Sequence, residues 1–578
     1  MFEKEQEILK LAKLRAYLRE KNYSACIIPQ NDPHLSEYVS DYYKIREYFS
    51  GFTGSNGTLL VSVDFAILWT DGRYFIQAET QLEGTGIELY RQNVDGYPTL
   101  VEFLGEKFTA KEKIIANFST ISAKYIDSLS EKCTMVHDAE WENIWVNRPE
   151  IVKSDIWKLD WAEIEFSFAS KIKVLREKLI ELGADYFIVS ALDELSWLFN
   201  IRAYDIAYTP VVRGYAIVSM SEIMLFVDVK EKFELPGVEV YHYDDLFKVI
   251  LNLRGTICLD KSNVNALLYN KVYTQAVEVA DIASPIVQMK AMKTPKEIAG
   301  CKKANINDGV VWVRLMKYIE DSLKRGEKLT EMSVSQKMTQ LKAENYDFVC
   351  ESFESIVAYA EHGAVVHYAV TQDTDKEILP EGFLLIDSGT HYVYGTTDIT
   401  RTLVCGAHTC EMKRRFTQVL KGMIAVATAE FTTETKGKEI DALARKFLKE
   451  DSVDYAHGTG HGVGSVLCVH EEGVRLSPKG EGKILQNVIT SDEPGFYKTG
   501  EFGIRIENML LCSAKDDNVL NFNNLTLVPI DLRAIDVSLL TDIERNWINN
   551  YHREIKHILQ IFLTDNENKW LNERFYEI

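Results

Sequence analysis

The chain has 578 residues, a mass of 66.1 kDa, 46% hydrophobic and 26% charged residues, a composition that excludes extended disorder and fibrous repeats and predicts several domains. With 86 acidic against 65 basic residues its net charge is −21, which would repel nucleic-acid phosphates and anionic lipid; neither is expected as a partner. Nine cysteines without a Cys-x-x-Cys pair read as free thiols in a reducing compartment, and seven of the 12 histidines fall between His362 and His470.

Taken in chain order, MFEKEQEILK is too charged for a secretory signal, so a cytoplasmic location is expected. The amphipathic stretch Glu5 to Lys21 predicts a helix, and Ala25 to Pro29, Thr58 to Val63 and Phe65 to Thr70 predict strands. The apolar runs Thr58 to Thr70 and Arg213 to Asp228 are broken by Asp64 and Glu222, and each is shorter than the ~20 residues a membrane helix needs. After a tryptophan-rich segment from Trp141 to Trp161 the order repeats: a helix Lys171 to Leu182, a strand Tyr186 to Ser190, a turn at Asp193, and strands Gly214 to Ser219 and Glu222 to Val227. The repetition predicts two related α/β domains. A boundary is expected near Ser284-Pro285, and a long helical pattern begins at about Glu297 and opens a larger α/β domain.

Four segments of this last domain carry chemistry. In FLLIDSGTHYVYGTTDITRT a buried strand delivers Asp387, and Asp398 follows on its partner strand. A buried carboxylate pair is costly without a cation between its members, although two solvated turn aspartates would show the same pattern. HGTGHGVGSVLCVH embeds His457, His461 and His470 in a run too rich in glycine for a helix. It has neither the dinucleotide fingerprint nor His-Glu-x-x-His. In TSDEPGFY, Pro494 forces Glu493 into extended backbone. In FGIRIENML, a strand places Ile504 and Ile506 on one face and Arg505 and Glu507 on the other. Together Asp387, Asp398, His461, Glu493 and Glu507 offer four carboxylates and one imidazole. That set suits two divalent cations; oxygen-rich ligation with one nitrogen favours Mn2+, with Co2+, Fe2+ and Zn2+ open.

On these motifs, and on NDPHLSEY, SGFTGSNG, LWTDGRYFIQAE, LDELSWLFNIRAYDI, GAVVHY, LTLVPIDL and WINNYH, the chain resembles the long, three-domain X-prolyl aminopeptidases (aminopeptidase P) over nearly its whole length. It departs from them at Ala203, where the family has glycine, and at His391, in a variable hairpin position. The resemblance implies two creatinase-like α/β domains, 1–158 and 159–287, and a pita-bread catalytic domain with a carboxyl-terminal extension, 288–578. It implies that Asp387, Asp398, His461, Glu493 and Glu507 hold two metal ions per subunit, and that hydroxide shared by the metals hydrolyses the bond after the first residue of peptides with proline second. Glu493 would be the general base, with His367 and His470 assisting. His367, His457, His470 and Arg505 would line the substrate, Arg505 beside Glu507, and Arg401 would be structural. A homodimer is also implied. The alternatives are a prolidase-type dipeptidase on the same fold, a methionine aminopeptidase, and a metal-free interaction module.

Overall fold

The computed structural model describes residues 2–160, 164–228, 233–276 and 278–578; Trp161, at the end of the tryptophan-rich segment, lies outside them. The described residues form two compact units, one from Met1–Leu159 with Phe166–Ile286, the other chiefly Val287–Ile578.

The first unit contains two six-stranded sheets. One runs, edge to edge, Glu88–Arg91, Ala66–Thr70, Thr58–Ser62, Ala25–Pro29, Lys113–Ala116, Thr134–His137. The other runs Glu239–His242, Ile223–Val227, Gly214–Ser219, Tyr186–Val189, Thr256–Leu259, Glu278–Asp281. In each sheet the first three strands in chain order form an antiparallel meander and the outer strands add in parallel. The expected duplication is therefore present in the topology. It extends to the contact between the halves, where Ser122 and Asn265 cap the helices Ala123–Ser130 and Ala266–Tyr273. Across that contact the Ala123 N–H donates to Val264 O at 2.9 Å, and the Ala266 N–H to Ile121 O at 2.8 Å. The otherwise orphaned first amide of each helix is thus satisfied by a carbonyl in the other domain's loop. One local expectation fails: Asp193 lies in the first turn of the helix Leu192–Phe199, not in a connecting turn. A carboxylate there favours the positive end of the helix dipole.

The second unit opens on the helix Pro295–Lys324, started by a Thr294–Glu297 capping box with proline at its first position. It packs on Glu331–Ala343, and Cys410–Ala427 packs on Gly437–Lys449. Between and beside these helices lie the antiparallel strands Ile356–Tyr359, Phe383–Asp387 and Thr400–Val404. A six-stranded sheet has Glu430–Thr432, Val519–Asn524, Asn508–Asp516, Ile489–Asp492, Gly460–Gly462 and Glu471–Leu476 in that order. The carboxyl-terminal helices Asp542–Leu559 and Asp565–Arg574 pack on the long helix and share its apolar core with Trp312, Ile386 and Ile504. Among the described residues no helix is long and apolar enough to cross a membrane. All nine cysteines are free, six of them buried.

Two strand assignments need correction. FGIRIENML is not one strand: pairing stops at Arg505 and resumes at Asn508, in a different sheet. Ile506 and Glu507 are both buried in the interruption, so the alternation of faces breaks where the chain changes sheets. Asp398 lies two residues ahead of the strand Thr400–Val404, at the end of a hairpin that contains the short strands Thr390–Tyr392 and Gly395–Thr396.

Candidate metal centre

Three of the four acidic residues sit next to or at the end of a strand, and Asp398 lies in the short link before Thr400–Val404. Asp387 closes Phe383–Asp387, Glu493 follows Ile489–Asp492, and Glu507 occupies the gap between two strands. Strand ends hold the backbone rigidly while freeing the side chain from the pleat, which lets separate sheets aim at one point. His461 lies in the three-residue strand Gly460–Gly462. Its glycine neighbours are required by close backbone packing, because a Cβ at Gly462 would lie 2.6 Å from Glu471 O, and one at Gly460 would overlap Ser491 O. The expected loop is thus an extended strand pressed between two others.

The side chains converge. Ligand atoms of Asp387, Asp398 and Glu507 lie within 4.8 Å of one another, as do those of His461, Glu493 and Glu507 and those of Asp398, His461 and His470. His461 Nε2 is 3.4 Å from Asp398 Oδ2 and 3.3 Å from Glu493 Oε1. Although burial alone would lower it, the neighbouring carboxylates raise the His461 pKa well above its ordinary value. Burial together with Asp398 and Glu493 lifts Asp387 to about 6 despite Arg505, and burial with the other carboxylates raises Glu507 well above the usual range. Glu493 alone is pulled down, by His461, against the effect of burial. Asp387 Oδ1 and Glu507 Oε1 are buried with no hydrogen-bond partner. So much mutually repelling negative charge, with acceptor atoms left open, fits divalent cations far better than a core.

Around this cluster the protein's own donors are already committed. Arg505 was expected beside Glu507; it pairs instead with Asp387, through Nη2 to Oδ2 at 2.7 Å. It reaches Glu507 only through Thr400, whose hydroxyl donates to Glu507 Oε2 at 2.8 Å and accepts from Arg505 Nε at 3.2 Å. Arg505 Nη1 also donates to the Tyr497 hydroxyl at 2.8 Å, and that hydroxyl lies 2.8 Å from His457 Nε2. His457 Nδ1 faces Gly458 O at 2.7 Å, so Nδ1 bears the proton and Nε2 accepts from Tyr497. Burial lowers the His457 pKa to about 4 and keeps the ring neutral. The order of donation is therefore Arg505 to Tyr497 to His457 to the backbone.

The remaining histidines separate. His470 stands edge-on to His461, with ring centroids 4.4 Å apart. His367 is half-buried in the segment after the short helix Ala360–Ala364. His362 Nδ1 donates to the buried Glu331 at 2.9 Å, His391 Nδ1 lies 2.9 Å from the Thr396 hydroxyl, and His408 Nδ1 donates to Gly406 O. Arg401 is buried, and its N–H groups go to Val528 O, Pro529 O, Thr400 O, Glu507 O, Asn508 and the Tyr551 hydroxyl. It ties the carboxyl-terminal helix to the backbone of Glu507. Sequence reasoning did not find Tyr497 or Thr400. Both lie inside quoted motifs, where nothing distinguished a buried hydroxyl partner from ordinary strand residues.

Known proteins share these features. Metallopeptidase family M24 matches residues 299–514, the Creatinase/Prolidase N-terminal domain matches 10–144 and, in a second form, 147–297, and the C-terminal region of peptidase M24 matches 518–578. The Xaa-Pro aminopeptidase 1 of Dictyostelium discoideum is 35% identical, the alignment covering 97% of this chain and 95% of that protein. The X-prolyl aminopeptidase of Caenorhabditis elegans, described as a cytosolic enzyme with a di-nuclear active site, superposes with a TM-score of 0.94 at 30% identity, over 99% of this chain and 100% of that one. The Pyrococcus horikoshii prolidase superposes at 0.51 with 22% identity, over 63% of this chain and 99% of its own, a likeness of fold alone. The chain belongs to the Xaa-Pro aminopeptidases of metallopeptidase family M24, metal-dependent hydrolases with two creatinase-type domains ahead of a pita-bread catalytic domain.

Proposed function

We propose that the chain removes the first residue from peptides with proline in second position, and that Asp387, Asp398, His461, Glu493 and Glu507 hold two divalent cations for that purpose. The observation that carries this reading is the convergence of four carboxylates and one imidazole with Asp387 Oδ1 and Glu507 Oε1 left open. Bound there, the two cations would supply Lewis-acid polarisation of the peptide carbonyl and a water acidified into the neutral range. Oxygen-rich ligation favours Mn2+, with Zn2+, Co2+ and Fe2+ as substitutes.

Glu493 accepts the proton of the attacking water and delivers it to the leaving prolyl nitrogen. His367 and His470 donate to the developing oxyanion, and His457 and His470 flank the proline ring. Asp387, with the carboxylates around it, receives the substrate's α-ammonium. Arg505 holds Asp387 at its fixed angle. Proline offers no N–H, so a site that makes no demand on that donor accepts it. The domain limits near residues 158 and 287, a homodimer and a cytoplasmic location follow the family resemblance, the last supported by the description of the nematode enzyme as cytosolic.

The test is release of the first residue from an X-Pro-X tripeptide, measured with metal content, before and after chelation. Metal-dependent release at two ions per chain is expected. Cleavage of X-Pro dipeptides alone would identify a prolidase, release of amino-terminal methionine without a need for proline a methionine aminopeptidase, and no cleavage of any peptide an interaction module.

A further inference from the structure

The hairpin that joins Asp387 to Asp398 runs from Ser388 to Thr397, and it is held from behind by two buried charges on different helices. Asp308, on the long helix Pro295–Lys324, has no exposed surface. Its Oδ1 accepts from the Tyr392 hydroxyl at 2.7 Å and the Thr390 hydroxyl at 3.1 Å, and its Oδ2 accepts from the Thr397 hydroxyl. Thr397 Oγ1 in turn accepts the Thr390 N–H at 2.9 Å. Lys342, on Glu331–Ala343, is equally buried. Its Nζ donates to Ser388 Oγ at 2.6 Å and Gly389 O at 2.8 Å, and lies 3.3 Å from Glu351. Lys342 thus grips the chain as it leaves Asp387, and Asp308 grips it as it approaches Asp398.

Burying a carboxylate and an ammonium costs several kcal/mol each before pairing, and apolar residues of like volume often serve stability as well or better. Burial raises the Asp308 carboxyl, and Lys342 with the three hydroxyls pulls it back. What this arrangement supplies is direction: three donors converging on one carboxylate fix the hairpin in a way that apolar contact does not. At Gly389 the chain passes so close to Ser352 and Thr397 that a side chain has no room, and Ser352 Oγ donates to Thr397 O at 3.0 Å. The two ends of the hairpin are therefore locked to each other.

We propose that Asp308 is a positioning residue for the metal centre: through Thr390, Tyr392 and Thr397 it sets the spacing between Asp387 and Asp398, while Lys342 holds the opposite end of the same hairpin. The inference rests on the reading of Asp387 and Asp398 as metal ligands. Groups that orient metal ligands typically govern affinity by 10–100-fold, and Asp308 acts on two ligands at once.

The experiment titrates the chelator-stripped full chain with Mn2+ and, in parallel, Zn2+, by calorimetry well below the unfolding temperature. The proteins compared are wild type, Asp308→Asn, Thr397→Val, their double variant and Asp387→Ala. Asp308→Asn is expected to weaken binding by about 10–100-fold. Thr397→Val should weaken it less, and the double variant should be no weaker than Asp308→Asn, since Thr397 acts through the same carboxylate. A purely structural Asp308 would lower the unfolding temperature of the metal-free chain and leave the binding constants alone; that result overturns the inference, as does additivity in the double variant. If Asp308→Asn does not fold, Thr397→Val and Tyr392→Phe decide, and wild-type affinity in both overturns it. Asp387→Ala separates the two failures. Wild-type binding in that variant removes the ligand reading and the inference with it, whereas lost binding there beside unchanged Asp308→Asn removes the inference alone.

Discussion

Two histidines in the two units of the molecule sit among polar side chains and are treated in opposite ways. His34, in the amino-terminal unit, has both ring nitrogens engaged, Nδ1 with Ser190 O at 2.7 Å and Nε2 with the Tyr243 hydroxyl at 2.9 Å. The adjacent Asp32 accepts the N–H groups of His34 and Ser36, and burial lowers the His34 pKa to about 4. His461, in the catalytic unit, faces carboxylates that keep open oxygens, and its pKa is driven the other way. A polar cluster built for stability closes its hydrogen bonds and keeps its histidine neutral. A cluster built for chemistry leaves charge and acceptor atoms uncompensated, and a bound ligand supplies what is missing.

The most severe way to break this contrast is at Glu493. Glu493→Ala should cost more than the ~10²–10⁴ of a lost general base, because on the proposed reading it removes a metal ligand as well, and metal content should fall below two ions per chain. Retained turnover with both ions bound would remove Glu493 from the centre.

His470→Ala comes next, with turnover reduced by roughly 10²-fold and metal content spared. Because His470 shares a cluster with Asp398 and His461, metal lost along with activity would instead make it a ligand.

Tyr497→Phe should be milder, about tenfold in turnover or metal affinity. It removes the hydroxyl between Arg505 and His457 but leaves the Arg505–Asp387 pair. Wild-type kinetics and metal affinity in this variant would show that Arg505 needs no second anchor.

The smallest effect on turnover is expected at His34, whose substitution by glutamine should leave kcat unchanged while altering the pH dependence of stability. The folded pKa lies below the unfolded value near 6.5, so between about pH 6.5 and pH 4 the unfolded chain binds the extra proton. The contribution of His34 is complete above that window and fades as pH falls through it, by about 1.4 kcal/mol per pH unit. Buried His552, lowered to about 3, adds to the same trend and remains in the variant. Urea unfolding of both proteins across pH 4 to 7 measures the difference; equal slopes would mean that His34 does not titrate with folding.

Much of the fold and of the metal centre is legible in the order of the amino acids. Strands such as Ala25–Pro29 and Gly214–Ser219 are short apolar runs bounded by turn residues, and the long helix announces itself through Thr294, Pro295 and Glu297. The acidic residues and His461 stand out because each follows a strand pattern or sits among glycines. By itself the sequence determined the three-part α/β organisation, the duplication and the types of side chain available to a metal centre, since local periodicity and turn chemistry encode those. Only the tertiary structure decided that Arg505 holds Asp387 rather than Glu507, that FGIRIENML divides between two sheets at Ile506 and Glu507, and that Asp308 and Lys342 lock the hairpin between two aspartates. Those pairings join residues 46 to 118 positions apart, and the direction of a buried hydrogen bond across such a separation depends on how helices and sheets pack. No local pattern records it.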